Sequence, residues 1–72
     1  MIDTVERAFE LADKYNLSLF KLCETSGINY STIASTRRRG GQLNVVTIGT
    51  LCEAMDISMS EFFEDSEEGE HL

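Results

Sequence analysis

Residues 17–36, LSLFKLCETSGINYSTIAST, decide the fold. They predict two short helices, at about residues 18–26 and 29–37, separated by a sharp turn. Ser18 and Asn29 are typical N-cap residues, because their side-chain oxygens accept a hydrogen bond from a backbone N–H that the helix leaves unpaired. Apolar pairs flank both caps and predict hydrophobic staples, which fix the direction of entry into each helix: Leu17 with Leu22, and Ile28 with Ile33.

The turn between these two helices is also specified locally. Gly27 stands where a helix end needs a left-handed residue, a conformation that glycine adopts without steric cost. Ile28 can then fold back onto Cys23, as in a Schellman ending. Local chemistry therefore holds the two helices at a fixed, steep angle, and we interpret the stretch as a helix-turn-helix unit.

Helix-start signals recur along the rest of the chain. Capping boxes or capped staples open three further helices: Asp3 with Glu6, Asn44 after Leu43, and Ser58 with Glu61. Asn16 can end the first helix in a left-handed conformation. Apolar residues recur at helical spacing after the first and fourth caps: Val5, Ala8, Phe9, Leu11, Ala12 and Tyr15, then Val45, Ile48, Leu51, Cys52 and Met55. We predict an all-α fold of five helices, with a basic, glycine-containing loop at residues 37–42.

The charge of the chain is unevenly distributed. The 72 residues carry a net charge of −7, which at first argues against nucleic acid as a partner. Six of the 13 acidic residues, however, lie within residues 61–72, where no lysine or arginine occurs, so the remainder is close to neutral. We expect one domain at residues 1–63 and an acidic, disordered tail at residues 64–72, because the tail has nothing to bury.

The sequence gives little support for a membrane protein, a metalloprotein or an enzyme. No run approaches the ~20 apolar residues of a membrane span and no signal peptide opens the chain, so we expect a cytoplasmic protein. Cys23 and Cys52 lie on apolar stripes and are expected to be buried, reduced thiols; with His71 in the tail, no metal site is predicted. Gly40 and Gly41 indicate a turn, and no nucleophile–base pair or cofactor motif is present.

The order and spacing of these signals resemble the lambda-repressor-like (Cro/XRE-type) helix-turn-helix domains of bacterial and phage regulators. The resemblance covers residues 17–63 and rests on Leu17-Ser18, Leu22-Cys23, Ser26-Gly27-Ile28, Ser31-Thr32-Ile33, Thr47-Ile48, Leu51-Cys52-Glu53-Ala54, Ile57-Ser58 and Glu61-Phe62-Phe63. It implies a compact five-helix domain that places its third helix in the DNA major groove. The resemblance implies a transcriptional regulator, most simply a repressor, that binds double-stranded DNA as a homodimer.

The resemblance also suggests which residues contact DNA. Its base-contact positions fall on Tyr30, Ser31 and Ser35, at the exposed start of the third helix. Its phosphate-contact positions fall on Arg37, Arg38 and Arg39, with Ser18 and Lys21 as weaker candidates at the start of the second helix. The alternatives are that Tyr30 only covers the helix start, and that the arginines form a solvated turn or pair with the tail.

The last helix suggests the dimer interface. Met59, Phe62 and Phe63 offer more apolar surface than one helical turn usually buries, and members of the family often dimerise through this end. Phe62 is in a staple position and should be internal, so Met59 and Phe63 are the predicted interface residues. The alternative is that both phenylalanines close the core.

Several positions depart from the family pattern. Leu19 and Tyr30 stand where glutamines are frequent, and Leu19 with Phe20 puts apolar residues where a phosphate clamp is expected. Thr36 replaces an aliphatic residue, and Leu43 stands near a common proline. A second hypothesis is therefore a protein-interaction module on the same fold, such as an antagonist or an antitoxin-like partner whose acidic tail covers a DNA-binding face.

Overall fold

A computed structural model of the chain describes residues 2–64, which form five α-helices. These are α1 (Thr4–Lys14), α2 (Leu19–Ser26), α3 (Tyr30–Arg39), α4 (Val45–Met55) and α5 (Met59–Phe62). The predicted all-α, five-helix fold is confirmed. α2 and α3 form the helix-turn-helix unit, and both pack on α1 while α2 also packs on α4.

All five predicted N-caps are present. The side-chain oxygen of each accepts from a backbone N–H in the first turn: Asp3, Ser18, Asn29, Asn44 and Ser58. In the two predicted capping boxes, the side chain of the cap accepts from the backbone N–H of the glutamate, but the glutamate side chain does not bind the backbone N–H of the cap. The Glu6 carboxylate instead accepts from Arg37 of α3, and the Glu61 carboxylate accepts from the hydroxyl of Tyr15, which follows α1.

The first four helices end in the same way, with a left-handed residue just after the helix. A residue with positive φ follows each of them: Asn16 (58°), Gly27 (79°), Gly40 (71°) and Asp56 (60°). After Gly27, the Ile28 N–H donates to the Cys23 carbonyl at 3.0 Å, which is the predicted Schellman ending. The predicted conformation of Asn16 is also confirmed, whereas Asp56 was not anticipated.

The predicted basic loop is wrong in its first half. Residues 37–39 form the last turn of α3, and the chain leaves the helix only at Gly40. Arginine is a good helix former and a cation stabilises the negative end of the helix dipole, so the helix continues until glycine ends it. The three arginines are therefore held on a helix, with directions fixed by its geometry.

The core is a cluster of apolar side chains from every helix. Its buried members are Val5, Ala8, Leu11, Ala12, Leu19, Leu22, Cys23, Ile33, Ile48, Leu51, Cys52, Met55 and Phe62. Two predicted core residues are misplaced: Val45 is 66% exposed and Tyr15 is also exposed. Val45 is the first residue of α4, where the flanking Asn44 and Val46 are exposed too, so this end of the helix extends past the core.

Arg7 joins the two ends of the domain. Its Nε donates to the Phe62 carbonyl at 2.7 Å and its Nη2 donates to the Glu61 carbonyl at 2.9 Å. Arg7 thus satisfies the Phe62 carbonyl at the C-terminus of α5 and adds a donor to the Glu61 carbonyl, which also accepts from the Glu64 backbone N–H. This contact fixes α5 on α1 and allows Phe62 to close the core.

Both cysteines are buried free thiols, as predicted. Within residues 2–64, no group of acidic, cysteine or histidine side chains is arranged to hold a metal ion. None of the helices in this part of the chain has the length and apolar character needed to cross a membrane.

Candidate nucleic-acid interface

α3 has a buried face and an outer face. Ile33 and Thr36 point into the domain and are buried. Ser31, Ser35 and Arg38 are spaced four and three residues apart, which aligns them on the opposite side of the helix. Ser31 and Arg38 are exposed and Ser35 is half-buried. The Arg38 Nη2 donates to the Ser35 Oγ at 3.2 Å, so this outer stripe ends in a cation held beside a hydroxyl.

Tyr30, the first residue of α3, lies beside this stripe and is half-buried. Its ring packs edge-to-face on Phe9 of α1 and Phe20 of α2, with ring centroids 6.4 Å and 5.4 Å away. The ring therefore covers the start of the helix, as in the alternative considered for it. Its hydroxyl is the part of the side chain that can make a polar contact with a base.

The guanidinium of Arg37 is occupied by contacts within the domain. Its Nε donates to Glu6 Oε2 at 2.7 Å and its Nη2 donates to Glu6 Oε1 at 3.2 Å. Its Cζ also lies 4.5 Å from the centroid of the Phe9 ring, in cation–π contact. Arg37 therefore points towards α1, unlike the residues of the outer stripe.

Arg38 and Arg39 are both exposed. The Nη2 of Arg39 is 3.4 Å from the Thr36 Oγ1, and Thr36 itself donates to the Thr32 carbonyl at 2.8 Å. Val45 and Val46, at the start of α4, are also exposed. Thr32, Arg39 and Val46 line an open groove between α3 and α4 that sequence reasoning missed, because it depends on how the two helices meet.

The start of α2 presents the other predicted phosphate contacts. Ser18 and Lys21 are exposed, and the Ser18 Oγ accepts from the Lys21 backbone N–H at 3.3 Å. Leu19 is buried in the core, so it does not form the surface apolar pair that the sequence suggested. Phe20 remains 51% exposed and is the apolar neighbour of this helix start.

The pairing of charges separates the six cations into two groups. Arg7, Lys14 and Arg37 lie in ion pairs with Glu10, Glu61 and Glu6 respectively. Across residues 2–64, the cations outside such pairs are Lys21, Arg38 and Arg39, and all three belong to the helix-turn-helix unit. Within residues 2–64, the cations that form no ion pair therefore all lie on α2 and α3.

The predicted dimer residues lie at the other end of the chain. Phe62 is fully buried, as its staple position predicted, and its ring meets that of Phe63 at 5.3 Å between centroids. Met59 and Phe63 are 37% and 44% exposed. Met59 at the start of α5 and Phe63 just after its end therefore both offer apolar surface.

Comparison with known protein families finds a match. The model of the Cro/C1-type HTH DNA-binding domain matches residues 10–68, which is most of the chain and includes all of α2 to α5. No curated protein and no solved structure matches the chain. On the extent of this match, together with the capped helix-turn-helix unit and its five-helix setting, the chain belongs to the Cro/C1-type helix-turn-helix DNA-binding domain family.

Proposed function

We propose that the chain is a sequence-specific DNA-binding transcriptional regulator that inserts the start of α3 into the major groove. The observation that carries this proposal is the division of α3 into a face anchored in the core and an outer stripe of polar side chains. A helix that reads base edges needs such an arrangement, because its outer side chains must reach the groove while the inner ones fix its position.

In this proposal the base contacts come from Ser31, Ser35 and the hydroxyl of Tyr30. Serine hydroxyls donate to or accept from several bases, so we expect moderate rather than strict sequence preference. Arg38, Arg39 and Lys21 contact phosphates, with the Ser18 end of α2 adding backbone N–H donors. These are the cations that have no ion-pair partner within residues 2–64.

A repressor is the simplest regulator of this design, since a small domain can act by occupying its site in competition with other proteins. As a regulator of the bacterial or phage type, it would act in the cytoplasm, where the DNA is. Binding without catalysis is sufficient for this role.

Salt-dependent binding to duplex DNA tests the proposal. The purified protein is used to select sites from a randomised duplex pool, and its affinity for the selected duplex is measured over a range of salt concentrations. We expect selective binding that weakens with salt, and a salt slope about one unit shallower for Arg38→Ala. Lys14→Ala, which removes the same charge from the end of α1, is the matched control and should keep the wild-type slope.

Two outcomes contradict this proposal. Failure to enrich any duplex would exclude sequence-specific binding. Equal effects of Arg38→Ala and Lys14→Ala on the salt slope would show that Arg38 does not contact a phosphate.

We also propose a homodimer through Met59 and Phe63 of the α5 end. A single helix-turn-helix unit has a small footprint, whereas a two-fold pair places two reading helices about one DNA turn apart. Sedimentation at micromolar concentration should give a dimer for the wild type and a monomer for Phe63→Glu, since a carboxylate would be desolvated in the interface. A monomeric wild type, or a variant that remains dimeric, would contradict this interface.

The exposed ring of Phe20 favours a second candidate function, a protein-interaction module. Phe20 lies beside Ser18, at a helix start where a polar residue would better suit a phosphate. An interaction module of this kind would bind duplex DNA weakly and without selection of a site. The selection experiment above therefore separates the two functions directly.

A further inference from the structure

We propose that Arg37 is a positioning residue that holds α3 on α1 through Glu6 and Phe9 and takes no DNA phosphate. This inference rests on the proposed function and divides the three consecutive arginines into one internal anchor and two DNA-facing cations. It makes Glu6, on a helix outside the helix-turn-helix unit, a determinant of how the reading helix is presented.

The contact between Arg37 and Glu6 is bidentate. Two nitrogens of the guanidinium, Nε and Nη2, donate to the two oxygens of one carboxylate, at 2.7 Å and 3.2 Å. Such a fork fixes direction as well as distance, and a lysine cannot reproduce it. The Glu6 carboxylate takes two of the five N–H donors of Arg37 and faces its positive charge, so a phosphate would have to compete with Glu6 for that charge.

Phe9 couples this contact to the start of α3. One face of its ring receives the Arg37 guanidinium, while Tyr30 meets the same ring edge-to-face. Tyr30 and Arg37 are seven residues apart, which is about two helical turns and brings them to the same side of α3. α1 thus holds α3 at two points, and rotation of α3 about its own axis would break both.

The rotational position of α3 about its axis determines where the outer stripe of Ser31, Ser35 and Arg38 points. A turn of α3 about its axis would carry the outer stripe sideways in the groove without unfolding the helix. The side chains of Arg37 and Glu6 are 50% and 51% exposed, so their pair contributes little to stability. Loss of the pair should therefore change DNA discrimination more than thermal stability.

A charge swap tests the inference on the full chain. The ratio of affinities for the selected duplex and for a scrambled duplex is measured for the wild type, Arg37→Glu, and the double variant Glu6→Arg with Arg37→Glu. We expect the single variant to lose about tenfold of this discrimination, the equivalent of one base contact. The double variant should recover it, because the pair is rebuilt with its charges exchanged.

The salt slope distinguishes an anchor from a phosphate contact. The double variant should keep the wild-type slope, whereas Arg38→Glu should lower it by about one unit. Arg37→Lys keeps the charge and loses the fork, so it should reduce discrimination at an unchanged slope. Melting curves followed by circular dichroism check that each variant is folded.

Three results would overturn the inference. Arg37 is a phosphate contact if the double variant binds both duplexes more weakly to the same extent, with a salt slope lowered by about one unit. Arg37 is not needed for positioning if Arg37→Glu discriminates as well as the wild type. If the wild type selects no duplex at all, the proposed function itself fails and the inference fails with it, a result that is distinct from the other two.

Discussion

Arg37, Arg38 and Arg39 have the same chemistry, and the helix gives each a different surrounding. Successive residues of an α-helix are rotated by about 100°, so three neighbouring side chains leave in three directions. Arg37 meets the Glu6 carboxylate, Arg38 the Ser35 hydroxyl and Arg39 the Thr36 hydroxyl. Their total charge is therefore a poor measure of how many phosphates they can contact.

At the residue scale we predict that Ser35→Ala relaxes the preference for particular base pairs. The expected loss is ~1–3 kcal/mol at the position where a good contact disappears, with little change at the others. Tyr30→Phe should give a smaller effect of the same kind, since it removes the hydroxyl and keeps the ring that packs on Phe9 and Phe20. The measurement is a repeated site selection with each variant.

Ser60→Ala provides the control, because Ser60 is an exposed serine of α5 outside the helix-turn-helix unit. Its selected motif should be that of the wild type. An unchanged motif for Ser35→Ala would count against α3 as the reading helix.

At the element scale, the helix ends were the most predictable part of the fold. A cap is made by residues within one turn of each other, so the capping roles of Ser18, Asn29 and Gly27 can be predicted from the sequence alone. The ionic contact between Glu6 and Arg37 joins residues 31 apart, and no local pattern indicates it. The same limit explains Val45, whose burial depends on where the neighbouring helices end.

We predict that a glycine-to-alanine substitution has opposite effects on the stability of the domain at Gly27 and at Gly49. Gly27→Ala should destabilise the domain by about 1–2 kcal/mol, because φ at this position is +79° and a side chain is strained there. Gly49→Ala should stabilise it by up to about 1 kcal/mol, because Gly49 lies inside α4 and the added methyl has no atom within 4 Å apart from its chain neighbours and the backbone of its own helix. Urea unfolding of both variants gives the two free energies.

Each glycine variant is the control for the other, since both add the same methyl group. A Gly27→Ala variant that is as stable as the wild type would contradict the assignment of Gly27 as a left-handed cap, and a destabilised Gly49→Ala variant would contradict the prediction for α4.

At the scale of the whole molecule, negative charge is concentrated in residues 64–72. The predicted tail begins at Glu64, and residues 65–72 lie outside the described part of the chain. The sequence gives this segment four carboxylates and no lysine or arginine, and Glu64 adds a fifth. Its carboxylates can compete with phosphate for Arg38 and Arg39 if the tail reaches α3.

We predict that truncation after Phe63 tightens DNA binding at low salt and has less effect at high salt. Electrostatic competition is screened over ~10 Å at 0.1 M ionic strength, so the difference should shrink as salt is added. Affinity for the selected duplex, measured with and without the tail across a salt series, provides the test. The helical circular dichroism signal should be unchanged.

A gain in affinity that is the same at every salt concentration would exclude simple competition by charge. A loss of helical signal would instead show that residues 64–72 belong to the folded domain.

The reactivity of the two buried thiols reports local opening of the domain. Cys23 on α2 and Cys52 on α4 are almost fully enclosed, and burial raises the pKa of both thiols above the ordinary value of 9.0. Alkylating reagents attack the thiolate, so each cysteine reacts only when its helix separates from the core. The mass added at each site over time would report the opening of α2 and of α4 separately, without any introduced label.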